Sequence, residues 1–113
     1  MAKYTLLVLT NPVEGREDSF NDWYTNTHIK DVVNVPGIVA AQRFKLAGAQ
    51  LAPAPHPWGY LALYDVETDN LEHTVKALQE RIGTSAMVMS DAMSPQLLGF
   101  FYEPITDRVT SNN

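Results

Sequence analysis

The apolar and polar positions of this chain switch between two periods, and the switches mark out its elements. Tyr4 to Thr10 is an apolar, β-favouring run that Asn11-Pro12 stops, which predicts a first strand. After a turn at Glu14-Gly15 the period becomes helical. Glu17 and Asp18 suit a helix N-terminus, and Phe20, Trp23, Tyr24 and Thr27 recur at helical spacing. Ile29 to Val35 extends the helix by a further turn until Pro36-Gly37, which cannot continue it comfortably. Period two returns over Ile38 to Leu46, with Ile38, Ala40, Gln42, Phe44 and Leu46 on one face of a second strand and Val39, Ala41, Arg43 and Lys45 on the other.

Ala47 to Pro57 holds Pro53, Pro55 and Pro57 and reads as an extended loop. Trp58 to Val66 is a third strand with apolar residues on both faces, Trp58, Tyr60, Ala62 and Tyr64 pointing one way. Thr68 or Asp69 caps a second helix whose stripe is Leu71, Val75, Leu78 and Ile82 and whose end is Gly83. Residues 84–95, with Met87, Met89 and Met93, read either as a short helix or as a lid loop. Gln96 to Glu103 is a fourth strand closed by Pro104.

The order β-α-β-β-α-β is that of a ferredoxin-like α+β fold: a four-stranded antiparallel sheet with two helices on one face. We place this domain at residues 1–105 and a polar, frayed C-terminal tail at 106–113. Because strands two to four carry apolar residues on both faces, the helix-free face should be covered by a second copy of the chain. The expected assembly is a homodimer joined through its sheet faces.

A chain of 113 residues, 45% of them apolar, supports one domain with a real core. Its formal charge of -5, with Lys and Arg scattered, argues against nucleic acid or an anionic membrane as partner. Without cysteine there is neither a disulfide framework nor a thiolate metal site, and a reducing cytoplasm is the default location. The N-terminus shows no signal-peptide pattern, and no run approaches the roughly 20 apolar residues of a membrane span.

Candidate chemistry centres on Phe20, Tyr24 and His28, which helical spacing aligns on one face. A phenol and an imidazole one turn apart can act as an acid/base pair if they face a pocket, and Asp31 can orient the imidazole. The alternative is that His28 caps helix carbonyls or satisfies a core hydrogen bond, and that Tyr24 is a core residue. Trp23 and Phe20 are packing residues or part of a substrate site. Trp58, Tyr60 and Tyr64 form either an aromatic wall for a ligand or a dimer interface. His56, between prolines, leans over a pocket mouth or is a solvated loop residue, and His73 lies off the helix stripe, facing solvent. No two histidines have close ligand spacing, and no phosphate loop or nucleophile elbow is present, so neither metal nor cofactor is expected.

The block Phe20-Asn-Asp-Trp-Tyr24-Thr-Asn-Thr-His28-Ile-Lys-Asp31, followed by Val35-Pro-Gly-Ile and Ala41-Gln-Arg-Phe44, resembles the EthD-like branch of the dimeric α+β barrel superfamily. Many EthD-like sequences place a proline directly after the His-Ile pair, where this chain has Lys30. The resemblance implies a dimer with a central barrel made from both sheets and a cleft in each protomer between sheet and helices. It also implies small-molecule chemistry, since relatives include polyketide cyclases, muconolactone isomerases, cofactor-free monooxygenases and haem enzymes. The leading expectation is a cofactor-independent enzyme acting on a hydrophobic carbonyl or polyketide-like compound by lyase, cyclase or isomerase chemistry. His28 is then the acid or base, Tyr24 the hydrogen-bond donor and Asp31 the orienter. The alternatives are a non-catalytic small-ligand-binding protein and a cofactor-free monooxygenase.

Overall fold

In a computed structural model describing residues 1–112, four strands make one antiparallel sheet: β1 (Ala2–Thr10), β2 (Ile38–Lys45), β3 (Tyr60–Thr68) and β4 (Leu98–Tyr102). Their order across the sheet is β2-β3-β1-β4, the ferredoxin-like arrangement. Registration of Leu6 with Tyr64 and Phe101, and of Val8 with Ala62 and Gly99, puts these residues on one face. Helices α1 (Glu17–Trp23), α2 (Ile29–Val33) and α3 (Leu71–Arg81) cover that face. The core between them includes Leu6, Phe20, Tyr24, Val32, Tyr64 and Val66.

The second strand departs from a single alternation. Ile38 pairs with Val66, but Ala40 pairs with Asp65, so a bulge leaves Val39 as an extra residue. Ile38 therefore lies on the helix-facing side while Ala40, Gln42 and Phe44 lie on the opposite one, because one inserted residue reverses every side chain after it. Arg43, paired with Ala62, consequently faces the helices.

Tyr24–His28 forms a π-helical turn joining α1 to α2, with helical dihedrals at both of its ends. Such turns widen the helix locally and bring i, i+5 neighbours together. The second helix begins later than expected. Its cap is Asn70, whose side chain accepts from the His73 amide at 3.1 Å. Thr68 and Asp69 fail as caps because β3 runs on to Thr68, and the Thr68 hydroxyl accepts from the Asn70 amide instead.

Gly37 turns the chain from α2 into β2 at φ +96°, and a Cβ there would run into the Thr74 hydroxyl on α3. A side chain is thus excluded both by backbone conformation and by close approach.

Residues 84–95 are an irregular strap, not a helix. Val13 donates to the Ala92 carbonyl at 2.7 Å and Ser94 to that of Asn11 at 2.9 Å, fastening the strap to the end of β1, while Met87 is wholly buried. Glu103 to Asn112 has no regular element and is exposed; Asn113, the last residue of the expected tail, lies outside the described residues. Among the described residues no helix is long and apolar enough to cross a membrane.

Candidate functional site

A cavity of about 320 Å³ opens between the sheet and the helices. The sheet supplies Leu6, Val8, Tyr64 and Phe101; the first helical segment supplies Tyr24, His28 and Val32; α3 supplies Val75 and Leu78, with Ile82 just past its end; and the strap closes over them with Met87, Met89 and Met93. Thr10 and Gln79 are the remaining polar lining residues, and among the described residues no lysine, arginine, aspartate or glutamate lines the space. Such a size and composition suit an uncharged, largely apolar ligand fixed by a few convergent polar groups.

His28 stands at the end of the π-helical turn and is 8% exposed. Trp23 stacks on its ring at 4.5 Å, an i, i+5 contact that the wide turn permits, and Tyr24 meets it edge-on at 4.8 Å. Its Nδ1 is sealed from solvent with no hydrogen-bond partner. Burial pushes the imidazole down to about 4; the Asp31 carboxylate opposes this in part, and the Arg43 cation adds to it. His28 is therefore neutral across the physiological range and can accept a proton.

The Tyr24 and Tyr64 hydroxyls lie 3.0 Å apart on the cavity wall. Two phenols that share one hydrogen bond retain one O–H for a third group, so the pair can donate to a ligand oxygen. Burial pushes the Tyr24 phenol up, with the Tyr64 hydrogen bond and Arg43 pulling the other way. Burial also raises Tyr64, and its partner Tyr24 raises it further. Both remain protonated donors near neutral pH.

Behind Tyr24, the Arg43 guanidinium sits 4.4 Å from the ring centroid. It donates to Thr25 Oγ1 at 2.8 Å and to Asn21 Oδ1 at 3.0 Å. Asn21 also donates to the Tyr60 hydroxyl at 3.0 Å, and Tyr60 donates to Glu17. This polar chain clasps the first helix to β2 and β3.

The structure thus brings His28, Tyr24 and Tyr64 together on one cavity wall. The other expected site residues are elsewhere. Asp31 acts on His28 through its charge and makes no hydrogen bond with Nδ1 of the ring, which stays unpartnered. Phe20 is fully buried against Tyr24 and Tyr60, and Trp23 backs His28 while its Nε1 donates to the Val88 carbonyl at 3.0 Å; neither lines the cavity. Tyr60 belongs to the Glu17–Asn21–Arg43 chain, because its position on β3 lies beyond the cavity's end. Trp58 precedes β3 and lies off the cavity lining. His56 is exposed in the proline loop, where its Nε2 lies 2.8 Å from the Ala52 carbonyl oxygen, and it takes no part in the roof that the strap forms.

One participant escapes a reading of motifs: Arg43 looks like an ordinary strand charge until the bulge turns it inward. Tyr64, expected in an aromatic wall or an interface, lies on the cavity wall with its hydroxyl on Tyr24. The two-residue spacing of Met87 and Met89, with Met93 nearby, was the available signal for the roof. Among the described residues no group of three or more His, Asp or Glu is placed to hold a metal ion.

No family model matches the chain. Among solved structures, it is similar to an EthD-like protein from Ralstonia eutropha JMP134, with a TM-score of 0.61 at 17% identity over 96% of each chain. An ethyl tert-butyl ether D (EthD) family protein from Bacillus halodurans C-125 superposes with a TM-score of 0.53 at 14% identity, over 93% of this chain and 100% of that one. A candidate monooxygenase from Shewanella loihica PV-4 gives 0.59 at 13% identity, over 94% and 97%. The fold is therefore the one that EthD-like proteins have. Over 64 residues, 55% of this chain, the sequence is 44% identical to core atranone cluster protein 1 of Stachybotrys chlorohalonatus. The chain spans a quarter of that relative's length.

Proposed function

We propose that this chain, an EthD-like protein by fold, is a cofactor-independent enzyme that performs acid/base cyclisation, isomerisation or elimination on a neutral, hydrophobic carbonyl compound of polyketide type. The observation that carries this reading is a neutral imidazole and a paired phenol donor on the wall of an apolar cavity without charged lining. His28 takes a proton from carbon or oxygen of the ligand, and the Tyr24/Tyr64 pair donates to the carbonyl oxygen as negative charge develops there. A base whose conjugate acid titrates near 4 suits an already acidic proton, such as one between two carbonyl groups.

The test is incubation with a panel of neutral poly-β-ketones and unsaturated lactones, with products followed by mass-detected chromatography and oxygen uptake recorded in parallel. A product of unchanged mass, or of mass reduced by water, is expected without oxygen consumption. Oxygen uptake with a gain of one oxygen atom would move the protein to the monooxygenases, and saturable binding with no product would make it a binding protein. Gly99→Val is a useful companion, because a Cβ at Gly99 meets only Val8 Cγ2, at 3.9 Å, and the added side chain occupies the cavity. Turnover should fall at least about tenfold with thermal stability retained, since valine suits a strand better than glycine.

The same reading includes a second copy of the chain on the helix-free face. Leu7 and Leu9 of β1, Leu61 and Leu63 of β3, Phe44 and Phe100 lie on that side by register, and Phe100 is 49% exposed. Sedimentation should show a dimer for the wild type and a monomer for Phe100→Glu, because a charge placed in an apolar interface is costly. A wild type that stays monomeric at every concentration removes the dimer.

A further inference from the structure

Arg43 is held by rings and neutral oxygens, and no ion pair among the described residues answers its charge. It is partly buried, and both ion pairs among the described residues, Arg16–Asp91 and Lys76–Glu80, leave it out. Its hydrogen bonds go to neutral oxygens of Asn21 and Thr25, and Glu17, a carboxylate on the first helix, is taken by the Tyr60 hydroxyl. Three aromatic rings surround the cation: Tyr24 at 4.4 Å, and Phe20 and Tyr60 at 5.4 Å each. A guanidinium taken partly out of water with no carboxylate in ion-pair contact gives up solvation that no counter-ion restores, and a negative charge arriving on its far side would be the missing partner.

The cavity lies on the other side of the Tyr24/Tyr64 pair and holds no charge of its own. The aromatic wall between is lower in dielectric than water, so the Arg43 field is screened less through it than on the open side, where water, Glu17 and Asp18 lie. Asn21 and Thr25 flank Tyr24 in the chain, so the bonds that hold Arg43 also fix it to the ring it backs.

We propose that Arg43 is a positioning residue whose unpaired charge, held behind the Tyr24/Tyr64 hydroxyl pair, makes the cavity select the oxyanionic form of its ligand, an enolate or phenolate, over the neutral form. The inference deepens the acid/base reading and rests on it. It narrows the substrate class to compounds that enter neutral and become oxyanions in place, the form that a strand arginine set against aromatic faces is built to meet. The pulls that Arg43 exerts agree in direction, lowering both phenols and the imidazole. It thereby favours negative charge at the donor pair and discourages a second cation at His28.

The groups that titrate around a bound ligand are His28, Tyr24 and Tyr64, with Asp31 beyond His28 and with Glu17, Asp18, Lys45 and Tyr60 around Arg43. Two probes separate charge from shape: 4-nitrophenol, whose ionised form is visible spectroscopically, and 4-nitroanisole, which cannot ionise. In the wild type, bound 4-nitrophenol should ionise at lower pH than free 4-nitrophenol. Arg43→Met should abolish that difference and weaken phenolate binding about tenfold, leaving 4-nitroanisole affinity within about twofold. Arg43→Lys, which keeps the charge, should restore most of it. Equal weakening of both probes by Arg43→Met would make the residue merely structural, and an unaltered phenol in the wild type would deny any selection for the oxyanion. Either result overturns the inference and leaves the cavity reading standing. If neither probe binds the wild type, the cavity reading itself fails and the inference goes with it.

Discussion

Replacement of His28 by glutamine is expected to lower turnover of a cavity substrate by about 10²–10⁴-fold, the usual contribution of a positioned general base. Ligand affinity should change little, because the Tyr24/Tyr64 donor pair and the apolar wall from Leu6 to Phe101 are untouched. Glutamine retains a polar planar end that can lie against Trp23, so the folded state is available to the variant. The informative comparison is kcat against KM. A loss confined to kcat marks a group that works in the transition state, whereas a rise in KM alone marks a binding residue. Unaltered kcat in the folded variant would remove His28 from the chemistry. Tyr24→Phe provides a graded control, since it deletes one hydroxyl of the pair and leaves the ring over which Arg43 sits.

The second large effect is on stability. Burial holds the His28 imidazole at about 4, below the ordinary 6.5, so the unfolded chain binds a proton there more readily than the folded one. The stability associated with a neutral His28 is fully present above pH 6.5 and is lost as the pH falls toward 4. Over that window the loss approaches about 3 kcal/mol, because each tenfold difference in proton affinity between the folded and unfolded chain is worth roughly 1.4 kcal/mol. Denaturant melts of wild type and His28→Gln at pH 7.5 and 4 isolate this contribution, because every other titrating group is common to both. The wild type should lose about 3 kcal/mol more than the variant between the two values. Parallel losses would mean that the imidazole is not held neutral by burial. Nδ1, sealed without a partner, has no hydrogen-bond acceptor beside it to ease protonation.

The element order was legible because each element is short and its period unambiguous. The Tyr4 to Thr10 run became part of β1, Leu71, Val75 and Leu78 of the expected stripe lie on the inward side of α3 while Ile82 falls just past its end, and the β-α-β-β-α-β order left the ferredoxin-like sheet as the natural topology. The nine-residue block from Phe20 to His28 reads as helix and is helical. Its helical spacing did not show the π-helical turn, because that turn depends on how the helix accommodates packing against Tyr60 and Tyr64, and no local residue announces it.

The aromatic face of β3 shows where pattern reading stops. Tyr60, Ala62 and Tyr64 do share a side, yet periodicity cannot say whether that side meets helices or another chain. The register places it under the helices, gives Tyr64 to the cavity and Tyr60 to the clasp around Arg43, and leaves Leu61 and Leu63 on the open side. Trp58 and His56, equally aromatic and equally plausible by spacing, lie off the cavity lining because β3 begins only at Tyr60.

By itself, then, the sequence determined the fold class, the helix bearing the candidate base and the absence of thiol chemistry, since these follow from local period and composition. Tertiary structure decided that His28 and Tyr24 border an open space, that Tyr64 is Tyr24's partner, and that Arg43 turns inward behind them. The last depends on one extra residue at Val39. A bulge leaves the amino-acid pattern of a strand almost unchanged, yet it exchanges the faces of everything beyond it. Cavities, likewise, arise from the distances between elements, and those distances are set by side chains far apart in the chain.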